Sequence, residues 1–427
     1  MTCNISGLQR LLFNVSIRAT VFLYITRQVA YGRIPLHRYI AVLGRLDYFL
    51  RKMRDNKFVS IDGKTRIALY VPGVPSRAFT TACDKFTVFG DKLPCTTVLV
   101  SVTSACAFHC PHCYQKNDHG KDVPLDRLIT AIRSMQESGI AFFNIEGGEP
   151  FLVFNRLKAV CEAIDTRSEI WINSTGYGMT GEHLTELREL GVTAIMFPLH
   201  HAAGEEMNRF MGSDTAWETI LRGIALCHEV GIPVALNMCL LPEHFHNGIF
   251  EACMEKAMEL EAAIIQIIKP KPSGGWLDGG APVFTEEDMN VLRHKVLRYN
   301  NAGRFRRYPA ISAQVMEEDA TLFGCTAGGT DRFYLNAKGD VQPCEFLNIS
   351  FGNITDEEFP VIYRRMRSTF LIPGCDWLCE KYAGSIADTC RRFNLKTLPL
   401  SVERSREHYE QWDRGRATPL YKKLEGR

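Results

Sequence analysis

From residue 96 to about 300, short apolar runs alternate with amphipathic stretches six times, at intervals of about 30 residues. The runs are T-T-V-L-V-S-V-T (96–103), Ile140–Ile145, I-W-I-N (170–173), A-I-M-F-P-L (194–199), P-V-A-L-N-M-C-L-L (233–241) and A-I-I-Q-I-I (263–268). The first stretch between them is opened by Pro124, carries Leu125, Leu128, Ile129, Ile132 and Met135 on one face, and stops at Gly139. Later helices are expected over Leu157–Ile164, around Leu184 and Leu187, from Ser213 or Asp214 to Gly231, and across 248–261. Repeated βα units leave two architectures, an open doubly wound sheet or a partial barrel, and both place chemistry at the C-terminal ends of parallel strands.

The flanks differ in texture. Residues 1–57 carry eight Arg and two Lys against Asp47 and Asp55, a local charge of +8 in a 427-residue chain whose net charge is only +2. They predict two or three basic amphipathic helices broken near Gly32–Pro35. Arg10, Arg18 and Arg27 interrupt the apolar stretch, so no run approaches the ~20 residues that a transmembrane helix needs. A small-residue signal-peptide cleavage site is also missing, and the expected location is cytoplasmic. The near-neutral balance argues against nucleic acid as a partner. Fifteen cysteines, an odd number gathered in two fields with singles between them, point to metal binding rather than a disulfide framework.

The first field, A-C-A-F-H-C-P-H-C-Y (105–114), lies directly after the first predicted strand. Cys106, Cys110 and Cys113 place three thiols within eight residues, enough to wrap one soft metal centre. A structural zinc with His109 or His112 as fourth ligand is one reading. An iron–sulfur cluster is the other, since three cysteines on a four-iron cluster leave one iron open to substrate. The Cys-x3-Cys-x2-Cys spacing resembles the radical S-adenosylmethionine (SAM) superfamily. The resemblance implies a [4Fe–4S] cluster on these three residues, SAM on the open iron, and His112 in the place of the aromatic residue that leans on the adenine.

Two further segments follow the second and third predicted strands. In N-I-E-G-G-E-P (144–150), adjacent glycines let backbone approach a ligand, and Glu149 can accept from a cation. This segment resembles the superfamily's Gly-Gly-Glu element, which implies that Gly147, Gly148 and Glu149 hold the SAM ammonium. N-S-T-G (173–176) offers Ser174 and Thr175 to a polar ligand, with a helix N-cap cluster as the alternative. After the fourth strand, P-L-H-H-A-A-G-E-E-M-N-R-F-M-G (198–212) departs from related peptide-modifying members. His200 and His201 stand at its start as proton donors or acceptors, or as structural histidines. Arg209 is the nearest candidate for the SAM carboxylate.

The second field starts at Cys325. Phe333–Leu335 and Val341–Gln342 flank a glycine turn, a hairpin that brings Cys325 toward Cys344. The order Cys-x13-Gly-x4-Cys resembles the start of a SPASM/Twitch domain and implies a second, auxiliary [4Fe–4S] cluster. Its expected ligands are Cys325, Cys344, Cys375 and Cys379, with Cys390 competing for the last place; a zinc site from the same residues is the alternative.

The expected fold is α/β: a partial (βα)6 TIM-type barrel (96–305) with an N-terminal helical extension (1–95), a small C-terminal α+β cluster-binding domain (310–392) and a charged tail (393–427). The resemblance implies reductive cleavage of SAM to a 5′-deoxyadenosyl radical that abstracts hydrogen from an unactivated C–H bond. The substrate is a peptide or small molecule, and a flavodoxin or ferredoxin is the expected electron donor. A lipid or apolar metabolite at a membrane surface is the alternative substrate, and a catalytically silent zinc or cluster scaffold and a cobalamin-assisted methyltransferase are alternative functions. The N-terminal helices read as a lid on the barrel, a peripheral membrane contact through residues 1–57, or a dock for a partner.

Overall fold

The computed structural model describes residues 2–89, 94–372 and 374–425; the parts of the expected segments at 1, 90–93, 373 and 426–427 lie outside the described residues. The N-terminal segment runs β1 (Thr2–Ile5), α1 (Gly7–Ala30), α2 (Tyr39–Lys52), β2 (Phe58–Ile61), β3 (Lys64–Arg66) and α3 (Arg77–Asp84). The alternating region follows as β4 (Thr97–Ser101), α4 (Leu125–Glu137), β5 (Phe142–Glu146), α5 (Phe154–Glu162), β6 (Glu169–Asn173), α6 (Gly181–Glu189) and β7 (Val192–Pro198). It continues through α7 (Gly204–Met211), α8 (Ala216–Val230), β8 (Val234–Cys239), α9 (Ile249–Glu259), β9 (Ile264–Ile268) and α10 (Glu286–Asn301). The remainder is β10 (Ala310–Ala313), α11 (Gln314–Glu317), β11 (Arg332–Leu335), β12 (Val341–Gln342), α12 (Phe359–Thr369), α13 (Leu378–Arg392), α14 (Val402–Tyr409) and α15 (Pro419–Glu425).

All six expected strands form, as β4 to β9, and they pair in parallel in chain order. Among the described residues the sheet has the order β10-β9-β8-β7-β6-β5-β4-β11-β12, so it gains a parallel strand on each side of the six. The fold is α/β with a partial-barrel core. The hairpin expected at 333–342 is present as antiparallel β11 and β12, and β11 pairs with β4. Strands from both ends of the 310–342 stretch therefore belong to the same sheet as the alternating region.

Side chains alternate across each strand, which divides the interior into two cores. Val100, Ile145, Ile172 and Phe197 face outward into the helix layer. Phe142, Trp171, Ala194, Ala235, Ile264 and Ala310 face inward, where Val59, Ile61 and Leu69 of the N-terminal segment pack among them. The N-terminal segment is thus more than helices. Its antiparallel sheet β1-β2-β3 plugs one end of the barrel. The β2–β3 turn is Asp62-Gly63, with φ of +48° and +76°, the left-handed pair of a tight hairpin. Helices α1 to α3 pack alongside, over a cavity bounded by Thr97 and Arg332 from β4 and β11 and by Glu317 and Glu318 at and after the end of α11. They thereby cover the space between the two edges of the open sheet.

One buried ion pair ties the plug to the barrel. Arg66 and Glu169 are in contact, and both are almost fully inaccessible. The Glu169 carboxylate also accepts from the Trp171 indole at 2.8 Å and the Gly73 amide at 3.0 Å. Burial pushes the Glu169 carboxyl up, but Arg66, Trp171 and Gly73 outweigh it and hold it below its ordinary value. Arg66→Met leaves that carboxylate buried without its cation and should cost about 3–5 kcal/mol. Arg66→Met/Glu169→Gln should recover part of the loss, as read from urea unfolding midpoints.

Candidate active site

The loop after β4 carries the first cysteine field. Asp122 fixes its start, accepting from the Thr103 hydroxyl at 2.6 Å and the Ser104 amide at 2.9 Å. Cys106, Cys110 and Cys113 are each partly buried. Burial raises all three thiols, Cys110 to about 12 and Cys113 to about 11, and the sulfurs add to this: Cys113 and Cys106 raise Cys110, and Cys106 raises Cys113. Three thiols therefore share one low-dielectric pocket. Among the described residues, no three His, Cys, Asp or Glu side chains converge at single-ion spacing, which is what a structural zinc requires. A four-iron cluster takes each thiolate on a separate iron and suits this looser arrangement.

Glycines grip the loop from three sides. The Gly148 amide donates to Thr103 O at 2.7 Å and the Glu149 amide to Ala105 O at 2.8 Å, and a Cβ on Gly148 would stand 2.1 Å from Ala105 O. Gly212, left-handed at the end of α7, lies where a Cβ would meet His109 O at 2.7 Å. Gly275 donates to Cys113 O at 2.9 Å, and a Cβ there would meet Pro111 O at 2.0 Å. In this structure the close approach at Gly147-Gly148 is therefore to the cysteine loop's own backbone. Gly274-Gly275 also belongs to this grip, and its only mark in the sequence is the S-G-G-W turn after β9.

Beside the loop, the ends of β5 and β6 are joined through Glu149. Its carboxylate accepts from the Ser174 hydroxyl at 2.8 Å, the Phe151 amide at 3.1 Å, and the Thr175 amide and hydroxyl at 2.7 and 2.5 Å. Burial raises this group despite those four donors. Glu149, Ser174 and Thr175 thus form one unit. Glu146, which points into the barrel, contacts the Tyr114 hydroxyl and accepts from Asn173 at 3.0 Å. Burial lifts its carboxyl from 4.5 to about 8.

A histidine–aromatic cluster stands over the third cysteine. The His112 ring lies 4.3 Å from Phe210, 5.2 Å from His200 and 5.6 Å from Trp276. Burial lowers His112 to about 4 and holds His200 well below its ordinary range, so both rings are neutral at pH 7. The Cys239 amide donates to His200 Nδ1 at 3.0 Å, which leaves the ring proton on Nε2. His201 and His244 accept from nearby backbone amides in the same way. Arg209 is not drawn in: it is exposed and contacts Glu206. Met207 and Met211 form the buried face of α7, and a residue two positions from each points away from it.

In the second field, Cys325, Cys344 and Cys379 are buried; Cys379 feels the charge of Cys325, and Cys344 feels that of Cys379. The Cys325 amide donates to Gly374 O at 2.8 Å, which brings Cys375 alongside, and the Cys375 thiol lies 3.3 Å from Asp376. Cys390 is three turns further along α13, about 16 Å from Cys379 at helical rise. It sits beside Asp278 and is not brought to the group. Buried Lys271 donates to Glu380 at 2.7 Å, lies 3.4 Å over the Trp377 ring, and acts electrostatically on both Cys239 and Cys379.

Residues 100–252 match the radical SAM superfamily. The chain is similar to the AdoMet-dependent heme synthase of Oleidesulfovibrio alaskensis, 24% identical over 296 residues that cover 64% of this chain and 75% of the relative. SuiB of Streptococcus suis bound to S-adenosylmethionine superposes with a TM-score of 0.53 at 14% identity, over 66% of this chain and 68% of that one. SuiB bound to its precursor peptide SuiA gives 0.52, also at 14% identity, over 66% and 67%. At that identity the likeness lies in the fold.

Two outcomes follow from this geometry. Gly148→Ala should displace the cysteine loop and lose about four irons per chain on anaerobic reconstitution. Gly181→Ala, with nothing within 4 Å of its Cβ, should lose none. Glu146 favours the fold below its unfolded value near 4.5 and loses that contribution as pH rises through about 8. Glu146→Gln should flatten the decline in unfolding midpoint across that window.

Proposed function

We propose that this radical SAM enzyme, whose superfamily domain spans residues 100–252, reductively cleaves S-adenosylmethionine and abstracts hydrogen from an unactivated C–H bond of a peptide or small molecule. The observation that carries the reading is the juxtaposition of three mutually interacting thiols with the Glu149–Ser174–Thr175 unit across the Gly147-Gly148 contact. A [4Fe–4S] cluster on Cys106, Cys110 and Cys113, with SAM on its open iron, would supply a 5′-deoxyadenosyl radical when bound and reduced.

The chain's own residues bind and shield. Glu149 offers a buried, oriented carboxylate to the SAM ammonium, and Ser174 and Thr175 hold it in place. Gly147 and Gly148 set its distance from the cysteine loop. His112, Phe210 and Trp276 form an aromatic wall that suits an adenine and excludes water, which suppresses side reactions. His200 presents a neutral Nε2–H donor beside that wall. Arg209 takes no part in this reading, and the SAM carboxylate is left to the open iron.

Cys325, Cys344, Cys375 and Cys379 would hold the auxiliary cluster of a SPASM/Twitch-type domain, with buried Lys271 beside Cys379 as a fixed positive charge. A flavodoxin or ferredoxin would deliver the electron, in the cytoplasm. A peptide substrate is supported by the fold shared with SuiB, a protein seen with a precursor peptide. A small-molecule substrate is supported by the similarity to the heme synthase.

Iron and sulfide after anaerobic purification test the reading. About eight irons per chain are expected, falling by about four in Cys106/Cys110/Cys113→Ala. Zinc without sulfide, or iron unaffected by the triple change, would sink it.

A further inference from the structure

Helix α1 has two apolar faces, and the fold uses only one. Ile17, Val21, Ile25 and Gln28 are buried against the rest of the N-terminal segment. On the other side Leu8, Leu11, Leu12, Val15, Phe22 and Leu23 are 50–69% exposed. At 100° per residue these six fall within an arc of about 120°, with Arg18 at one margin and Arg27 at the other. The patch continues onto the start of α2. Tyr39 lies 6.3 Å from Phe22 and 2.7 Å from the Thr26 hydroxyl, and its neighbours Leu36 and Ile40 are 76% and 74% exposed. Isolated apolar side chains on a surface are ordinary, whereas eight in one patch mark an interaction site.

The charge around the patch says what covers it. Helix α1 contains no Asp or Glu. The two acidic residues within 1–57 are each beside arginine, Asp47 against Arg18 and Arg51, and Asp55 against Arg54. Arg45 and Lys57 are buried within the segment, and Arg18 is partnered by Asp47; the outward apolar face itself carries no acidic side chain and is flanked on α1 by Arg18 and Arg27. Apolar side chains flanked by guanidinium groups suit the boundary between acyl chains and anionic headgroups. Among the described residues no helix is long and apolar enough to cross a membrane, so α1 would lie in the interface plane.

We infer that the outer face of α1, extended by Leu36 and Ile40, docks this enzyme on an anionic lipid surface. The inference is independent of the SAM chemistry, because it concerns side chains that take no part in either cysteine field. Docking turns the bilayer toward the side on which α1 to α3 cover the gap in the sheet.

The test is flotation of the full-length, cluster-reconstituted chain with vesicles of phosphatidylcholine alone or mixed equally with phosphatidylglycerol. Binding to the mixed vesicles is expected to exceed binding to the neutral ones by about tenfold and to weaken with added salt. Leu12→Asp/Leu23→Asp should lose that binding by about tenfold or more while keeping its circular dichroism, melting temperature and iron content. Leu8→Ser/Leu11→Ser provides a second pair should the first fail to fold. Equal binding to both vesicle types, or none, overturns the proposal. So does a concentration-dependent dimer that either pair abolishes, which would make the face a contact between copies of this chain. Iron content is read in the same samples, so loss of vesicle binding with iron intact leaves the catalytic reading standing.

Discussion

The site depends on how closely backbone can approach backbone around the cysteine loop. In a loop bearing three thiols the sulfurs must stay free for a metal centre, so its shape rests on its other groups. His112 and Tyr114 anchor it through their rings, and carbonyls and amides define the rest. Gly148, Gly212 and Gly275 approach Ala105, His109 and Pro111 from three different elements, at distances that leave no room for a Cβ. Each contact ties the loop to a different βα connection. The loop's geometry is therefore a property of the whole barrel mouth, and any change that shifts those connections moves the thiols too.

The barrel interior holds buried acids at both ends, each resolved differently. Glu169, toward the plugged end, is matched by Arg66 and held ionised. Among the described residues Glu149 has four hydrogen-bond donors but no cation acting on it, so burial raises its carboxyl, and a bound ammonium group would complete it. Glu146 has two donors and rises to about 8. Burial costs are thus paid in full where the structure needs rigidity and left open where a ligand can contribute. The neutral histidines beside the aromatic wall follow the same logic, since a charge there would have to be desolvated without a partner.

Much of this was legible in advance, for identifiable reasons. The six parallel strands follow from apolar runs at regular spacing, and the cysteine loop, the Gly-Gly-Glu segment and Ser174-Thr175 fall at successive strand ends. The β2–β3 hairpin was hidden because its strands are four and three residues long, although Asp62-Gly63 is a turn signal by itself. Arg209 was nominated by its place after the fourth strand, and its side chain lies exposed against Glu206. The period of α7, with Met207 and Met211 inside, sends it to solvent. Cys390 shares a helix with Cys379, and helical rise separates them by about 16 Å, which spacing in an irregular chain would not.

The sequence by itself determined the parallel α/β core, the three-thiol loop and the chemistry those thiols imply, because each is written in local periodicity or in residues a few positions apart. Tertiary structure alone decided that N-terminal strands plug the barrel, that Gly212 and Gly275 help define the loop, and that His112, His200, Phe210 and Trp276 meet over it. It also decided that one face of α1 is buried while the other, equally apolar, is left outward. Hydrophobic pattern tells which residues avoid water; only the packing of distant segments settles which of two apolar faces finds a partner within the chain.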